Sequence, residues 1–346
     1  MPALVDTMAW LRAEGAPWHG LGYVMETVPK SGREAMKMAG LDWEVICLQL
    51  AALVPDTMPS KGKILGSIKV PIEEVEDSGE EEQLVRVVSS KNNLVVRKDT
   101  GAQLGIVGSG YQPMQNVDAF DWFDSALGVG KAQYVTAGSL KGGRIVWALV
   151  RLPGWMRVGG GDDLVGKYML LTTSHDGSMA VWIMITPIRV VCWNTLQAAF
   201  MDSRIMAKFW HTKGLQGRMF DYAEQLAKIS EVYEKTEKAF DALANHQVTS
   251  EQVETYIETL FPIPEDAKRP QRMEGNRKAV LDRFEGQGMG ADLDSAKGTA
   301  WGLYNATSEW ADHARGRDGS RLYQSWYGDG AKLKADALNL SLGMLS

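Results

Sequence analysis

Cysteine is almost missing from this chain of 346 residues: Cys47 and Cys192 are the only two, far apart and without metal-ligand spacing. That excludes a disulfide scaffold and predicts two reduced, buried thiols in a cytoplasmic protein. Histidine is scarce as well. His19 and His313 are isolated, and with five His in all and no paired-Cys motif a zinc site is not expected. No GxxxxGK[ST] stretch supports nucleotide use through a phosphate loop, and Gly159-Gly160-Gly161-Asp162-Asp163 lacks the spacing of a phosphate or calcium loop. No apolar run approaches the roughly 20 residues that span a bilayer. The first 15 residues include Asp6, Arg12 and Glu14 rather than a basic and then apolar leader, so no signal peptide is expected. His175-Asp176 reads as a hairpin turn, and Ser174 and Ser178 lack the glycine elbow that exposes a nucleophile. The reading is therefore of a binding protein with no metal, no cofactor and no catalytic residue.

Acidic residues are also absent where they would matter most. Between Ser125 and Gly161 there are five cations (Lys131, Lys141, Arg144, Arg151 and Arg157) and no carboxylate. From Ser125 to Arg218 there are 11 Lys and Arg against 4 Asp and Glu, although the whole chain carries −6. Such asymmetry lets an acidic protein present a local surface to a polyanion. The alternative is a solvated sheet face with scattered cations. Twelve Trp supply either core volume or flat faces for stacking.

The pattern divides the chain into an α+β core domain over 1–217, with a mobile acidic loop at 72–82, and a helical region over 218–346. Thr7–Glu14 is expected as a short helix, and Ser31–Ala39 as a helix capped by Ser31 and stopped by Gly40. Strands are expected at Asp42–Leu50 and Lys63–Val70, and a hairpin at Leu84–Ser89 and Asn93–Arg97 with its turn at Lys91-Asn92-Asn93. Val117–Ala126 has helical spacing. A mostly antiparallel β-meander follows, with strands at Gln133–Ser139, Arg144–Leu152, Lys167–Ser174 and Met179–Thr186. Pro153–Asp163 reads as a flexible loop. A helix is expected from Asn194 to Lys208, capped by Asn194-Thr195. Beyond it lie a long amphipathic helix over Met219–Ala244, one capped by Thr249 or Ser250, and helices at Asn276–Arg283, Ala300–Ala314 and Ala331–Leu340.

Several motifs are distinctive: Trp18-His19-Gly20-Leu21-Gly22, Ala39-Gly40-Leu41-Asp42-Trp43, Gly110-Tyr111-Gln112-Pro113-Met114-Gln115-Asn116, Ala137-Gly138-Ser139-Leu140-Lys141-Gly142-Gly143-Arg144, Ser174-His175-Asp176-Gly177-Ser178 and Thr186-Pro187-Ile188-Arg189-Val190-Val191-Cys192-Trp193-Asn194-Thr195. On these residues the chain resembles the phage/plasmid-like protein family, a domain of unknown function common in actinobacterial phages, prophages and plasmids. Its order of a helix, a glycine-punctuated meander and a following helix is also similar to single-strand annealing proteins of the RecT and Redβ kind. That second likeness implies basic residues along a groove between sheet and helix. A homo-oligomeric ring or filament is expected alongside it, in the cytoplasm, which is the host's if the protein is phage-encoded.

The candidate nucleic-acid-binding residues are Lys141, Arg144, Arg151, Arg189, Arg204, Lys208, Lys213 and Arg218. Lys141, Arg144 and Arg151 flank Gly142-Gly143, where a phosphate chain can approach the backbone closely. Arg189, set among apolar neighbours, serves either as a phosphate clamp or as an internal ion pair with Asp176. Around Lys208 and Lys213, Phe209 and Trp210 interleave with cations, as suits single strands, unless they pack in the core. The expected function is single-stranded DNA binding, with annealing in a homo-oligomer and without ATP. The competing expectation is a non-enzymatic module that binds a host or phage protein.

Overall fold

The computed structural model describes residues 5–12, 22–59, 62–71, 82–128, 132–161, 163–189, 194–195, 205–223, 226, 229–316 and 318–345. The acidic segment 72–81 lies outside these residues, as do Lys131, Cys192 and Arg204. The fold is α+β, with mostly antiparallel sheets followed by a helical C-terminal region.

The main sheet contains β1 (Val5–Leu11), β2 (Tyr23–Met25), β7 (Gln133–Leu140), β8 (Ile145–Val158), β9 (Asp163–Ser174), β10 (Val181–Ile185), β11 (Ile188–Arg189), β12 (Asn194–Thr195) and β13 (Ile205–Phe209). Its order is β12-β11-β9-β8-β7-β1-β2, and β10 and β13 extend it from the other half of β9. Among the described residues, the β1–β2 pair is the only parallel pairing of this sheet. β10 and β11 form one line along β9, broken at Thr186-Pro187 because proline has no N–H for the ladder. The second sheet is built on the 16-residue β5 (Glu82–Arg97). β3 (Val45–Pro55) lies along one side, and β4 (Ile64–Pro71) and β6 (Gln103–Gly108) share the other.

Several expectations change. Residues 5–11 are a strand rather than a helix: Met8 packs on one side of the sheet, and Ala9 and Leu11 on the other, as period-two alternation requires. The expected hairpin at 84–97 is one strand, with Lys91-Asn92-Asn93 absorbed in a register shift of the β3–β5 pairing. β8 runs through Pro153 and Gly154 by a similar irregularity between Arg151 and Trp155. Asn194-Thr195 is a strand rather than a helix cap, and Ile205–Phe209 pairs with β10 in place of the expected helix end. The expected long helix is two, α3 (Leu215–Tyr222) and α4 (Ile229–Ala244).

Local capping decides the helices that match. In α1 (Gly32–Met38) the Ser31 side chain accepts from Glu34 N–H, and Gly40 closes with φ 65°. α2 (Asn116–Leu127) ends at Gly128, and α5 (Ser250–Leu260) starts on a Thr249/Gln252 capping box. The remaining helices are α6 (Pro270–Asp282), α7 (Ala300–Glu309, continued by a π turn over Trp310–Ala314), α8 (Asp318–Tyr327) and α9 (Asp329–Gly343).

Alternation on the strands sorts the core. Val146, Ala148, Val150, Met169 and Leu171 pack with Phe120 and Phe123 of α2 and Met219 of α3. Met156, Val158, Val165 and Ile185 meet Tyr233 and Phe240 of α4 and Trp301 of α7. Residues of opposite parity, Ile145, Trp147, Leu149 and Leu170, are covered instead by Leu322 and Trp326 of α8. Burial of one aliphatic side chain contributes about 1.5–3 kcal/mol, so both faces stabilise the sheet.

Candidate nucleic-acid interface

The face of the main sheet that α8 covers carries a run of aromatic rings with a cation at each end. Lys208 on β13 lies opposite Trp182 on β10, which lies opposite Thr172 on β9. Its ammonium sits 5.8 Å from the Trp182 ring centroid and 4.3 Å from that of Trp210. The Trp182 ring is 6.2 Å from that of Tyr327, whose hydroxyl is 2.7 Å from Thr172 Oγ1. Tyr327 lies 5.5 Å from Tyr323, and the Lys141 ammonium is 4.0 Å above the Tyr323 ring. Two cations thus bracket a strip of half-buried rings, while Trp210 is 60% exposed. Cation–π attraction holds each ammonium against a ring without neutralising its charge. The Trp182 indole N–H is buried without a hydrogen-bond partner among the described residues.

Local sequence explains this placement. On an extended chain Lys208 and Trp210 share one side and Phe209 takes the other. Phe209 enters the core. The loop after β13 is fixed by Arg218, whose guanidinium donates to the carbonyls of Trp210 (2.9 Å) and Lys213 (2.8 Å). At the other end, the β7–β8 turn places Lys141, Gly142 and Gly143 at positive φ (57°, 72° and 85°). A Cβ on Gly143 would lie 3.3 Å from the Trp43 ring. The close approach that Gly143 permits is therefore made by Trp43 of this chain.

The eight candidate cations separate into distinct settings. Lys141 and Lys208 end the strip, and Arg144 is exposed beside Lys141 with no side-chain partner among the described residues. Arg151 is half-buried farther along β8, donating to Gln133 Oε1 at 3.0 Å and lying over Trp155. It lines a separate cleft of about 480 Å³ with Lys30 and Asp124. Lys213 is exposed, Arg218 is engaged with backbone carbonyls, and Arg204 lies outside the described residues. Arg189 is 1% exposed and faces the interior. Its clamp closes on Asp163, at 2.8 and 2.6 Å, rather than on a phosphate or on Asp176. Its remaining N–H groups donate to the carbonyls of Met289 and Gly290, while Asp163 also accepts from Ser295 Oγ and Trp301 Nε1. Every charge there is hydrogen-bonded, which is what makes such burial tolerable.

The His175-Asp176 turn is structural in its contacts. Asn116 donates through Nδ2 to the carbonyls of Leu41 and Trp43, so its Oδ1 accepts from His175 Nε2 at 2.9 Å. Nδ1 is then bare and has no partner among the described residues, and burial followed by the nearby His211 pushes the His175 pKa down to about 3. Burial also lowers His211, whose ring stacks on Tyr111 at 4.8 Å. Cys47 is a free, half-buried thiol with its pKa raised by burial. No group of three or more metal-ligating side chains occurs among the described residues, and no helix there is long and apolar enough to cross a membrane.

Of the candidate cations named from the sequence, Lys141 and Lys208 lie on this strip, and Trp210 was noted beside Lys208; Trp182 and the α8 rings were not connected with them. Tyr323 and Tyr327, four positions apart and therefore on one helical face, were the available signal. No curated protein and no solved structure matches the chain. A family described as a domain of unknown function, DUF932, matches residues 103–335, which include every member of the strip, and the chain belongs to that family.

Proposed function

We propose that the chain is a single-stranded-DNA-binding protein of a phage, prophage or plasmid, acting without ATP and promoting annealing as a homo-oligomer. The observation that carries this reading is the strip Lys208–Trp182–Tyr327–Tyr323–Lys141, with Trp210 exposed beside it. Single strands need cations for phosphates and flat faces for bases, and each stacked base contributes about 1–3 kcal/mol. Anisotropy titration of a labelled oligothymidylate over a salt series tests the proposal. Binding that weakens linearly on a log–log salt plot supports it, and binding that is absent at low salt, or indifferent to salt, removes it.

The oligomer has a candidate surface in β3. From Val45 to Pro55 that strand has no charged residue, and Leu48 and Leu53 are exposed. Gln115 takes the outward N–H and C=O of Val45, and beyond it no strand pairs with the outer edge of β3 among the described residues. An apolar, uncharged edge is a template for another strand. The same feature favours the second reading, a protein-interaction module. A protein that stays monomeric, and is retained by a host partner after nuclease treatment, fits that reading and not the first.

A further inference from the structure

The helical region contains a second cationic surface that the acidic balance of its sequence conceals. A cleft of about 850 Å³ opens between the first turn of α6 and the chain around the π turn and α8. Lys268, Arg269, Arg272 and Arg315 line it, against one carboxylate, Asp329. Arg315 reaches Asp329 at 3.7 Å. Lys268, Arg269 and Arg272 are exposed and form no ion pair among the described residues, although Glu265 and Asp266 precede them closely in the chain.

The helix that meets this cleft makes the crowding costly. α6 begins with Pro270, has no side-chain cap bond, and carries no acidic residue in its first turn. Its unpaired N–H groups and its dipole place partial positive charge where three full cations already converge, which is the unfavourable arrangement for a helix start. A bound anion reverses the sign of all these interactions at once. Four cations in an open cleft suit several phosphates better than one carboxylate.

We infer that this cleft binds a chain of phosphates. Its source is either the continuation of the single strand lying on the aromatic strip or a free polyphosphate compound. The first source rests on the function proposed above. α8 connects the two places: Tyr323 and Tyr327 belong to the strip, and Gln324 lines the cleft. A helix with its side chains is about 10–12 Å across, so one strand can cross it between the two sites.

Calorimetric titration with inorganic tripolyphosphate reads the cleft by itself. Wild type and Trp210→Ala should bind alike, and the Arg269→Ala/Arg272→Ala variant should bind at least about tenfold more weakly, having lost two charge-assisted contacts. Both arginines are exposed, and an unchanged melting temperature verifies that the variant is folded. Oligothymidylates of about 10 and about 30 nucleotides, near and beyond the span of one binding platform, then identify the source. If the strand is the source, the variant weakens only the longer oligonucleotide and flattens its salt slope by about two. If the source is a free compound, both oligonucleotides are unaffected while tripolyphosphate binding is lost. Tripolyphosphate that fails to bind wild type, or binds the variant equally well, overturns the inference. Tripolyphosphate binding without any DNA binding removes only the function proposed above.

Discussion

At the scale of residues, the proposed function gives Trp210 and Lys208 the two tasks of a single-strand platform, stacking and charge. Trp210 is 60% exposed, so Trp210→Ala should leave the melting temperature unchanged and weaken oligothymidylate binding by about 1–3 kcal/mol in an anisotropy titration. Lys208→Ala should reduce the salt slope by about one, with little dependence on base sequence. His175 gives a pH dependence of stability instead. Its folded pKa is depressed to about 3, below the ordinary value of 6.5, so the unfolded chain binds the extra proton between those limits. Its contribution is complete above pH 6.5 and is lost as pH falls toward 3, on the order of 1 kcal/mol per pH unit. His175→Gln keeps a donor for Asn116 and cannot titrate, so thermal melts from pH 7 to 5 should lose part of their slope, the remainder coming from His211, whose pKa burial also lowers. A slope that persists in full would assign the proton uptake to another group. Arg189 shows why residue roles were only partly legible. Its apolar neighbours indicated a partner, but the carboxylate that answers is 26 positions away and was placed by strand pairing that no local pattern reveals.

Elements were legible where their signals are local. Ser31 with Glu34, Thr249 with Gln252, and Gly128 each act within one helical turn, and the corresponding helices appear where expected. Strand breaks were not legible, because Asn92-Asn93 and Pro153-Gly154 suit a turn and a register irregularity equally well, and only the neighbouring strand decides. Residues 205–209 were ambiguous for a related reason: a short apolar run fits a helix or a strand until pairing with β10 selects one. The β7–β8 turn gives the test at this scale. Gly143 has φ 85° and Trp43 lies 3.3 Å from where a side chain would begin, so Gly143→Ala should destabilise the fold by about 1–3 kcal/mol in urea unfolding. Gly142→Ala has positive φ but open space around it, and should cost less.

Across the whole molecule, the C-terminal helices are tied to the sheet by a second buried ion pair. Lys334 donates to Asp312 Oδ1 at 2.6 Å, to Thr195 Oγ1 at 2.5 Å and to Ser325 Oγ at 3.0 Å. Asp312 Oδ2 accepts from Thr195 N–H at 2.8 Å, so α8, α9, the π turn and β12 meet at one point. Lys334→Met strands the Asp312 charge in the interior and should lower stability by about 3–5 kcal/mol, measured by denaturant unfolding. Because α8 supplies two of the three rings that join Lys208 to Lys141, DNA affinity should fall with it under the proposed function, whereas Trp210→Ala lowers affinity alone.

The bond between Thr172 and Tyr327 spans 155 positions of the chain, and Trp147, fully enclosed in the finished molecule, is closed off by Trp326. During synthesis the strands therefore leave the ribosome without the ring that covers that tryptophan, until Trp326 has been translated. The strip is therefore completed only after α8 has been made, and a nascent chain ending before it carries Lys141, Trp182 and Lys208 without the two tyrosines that join them.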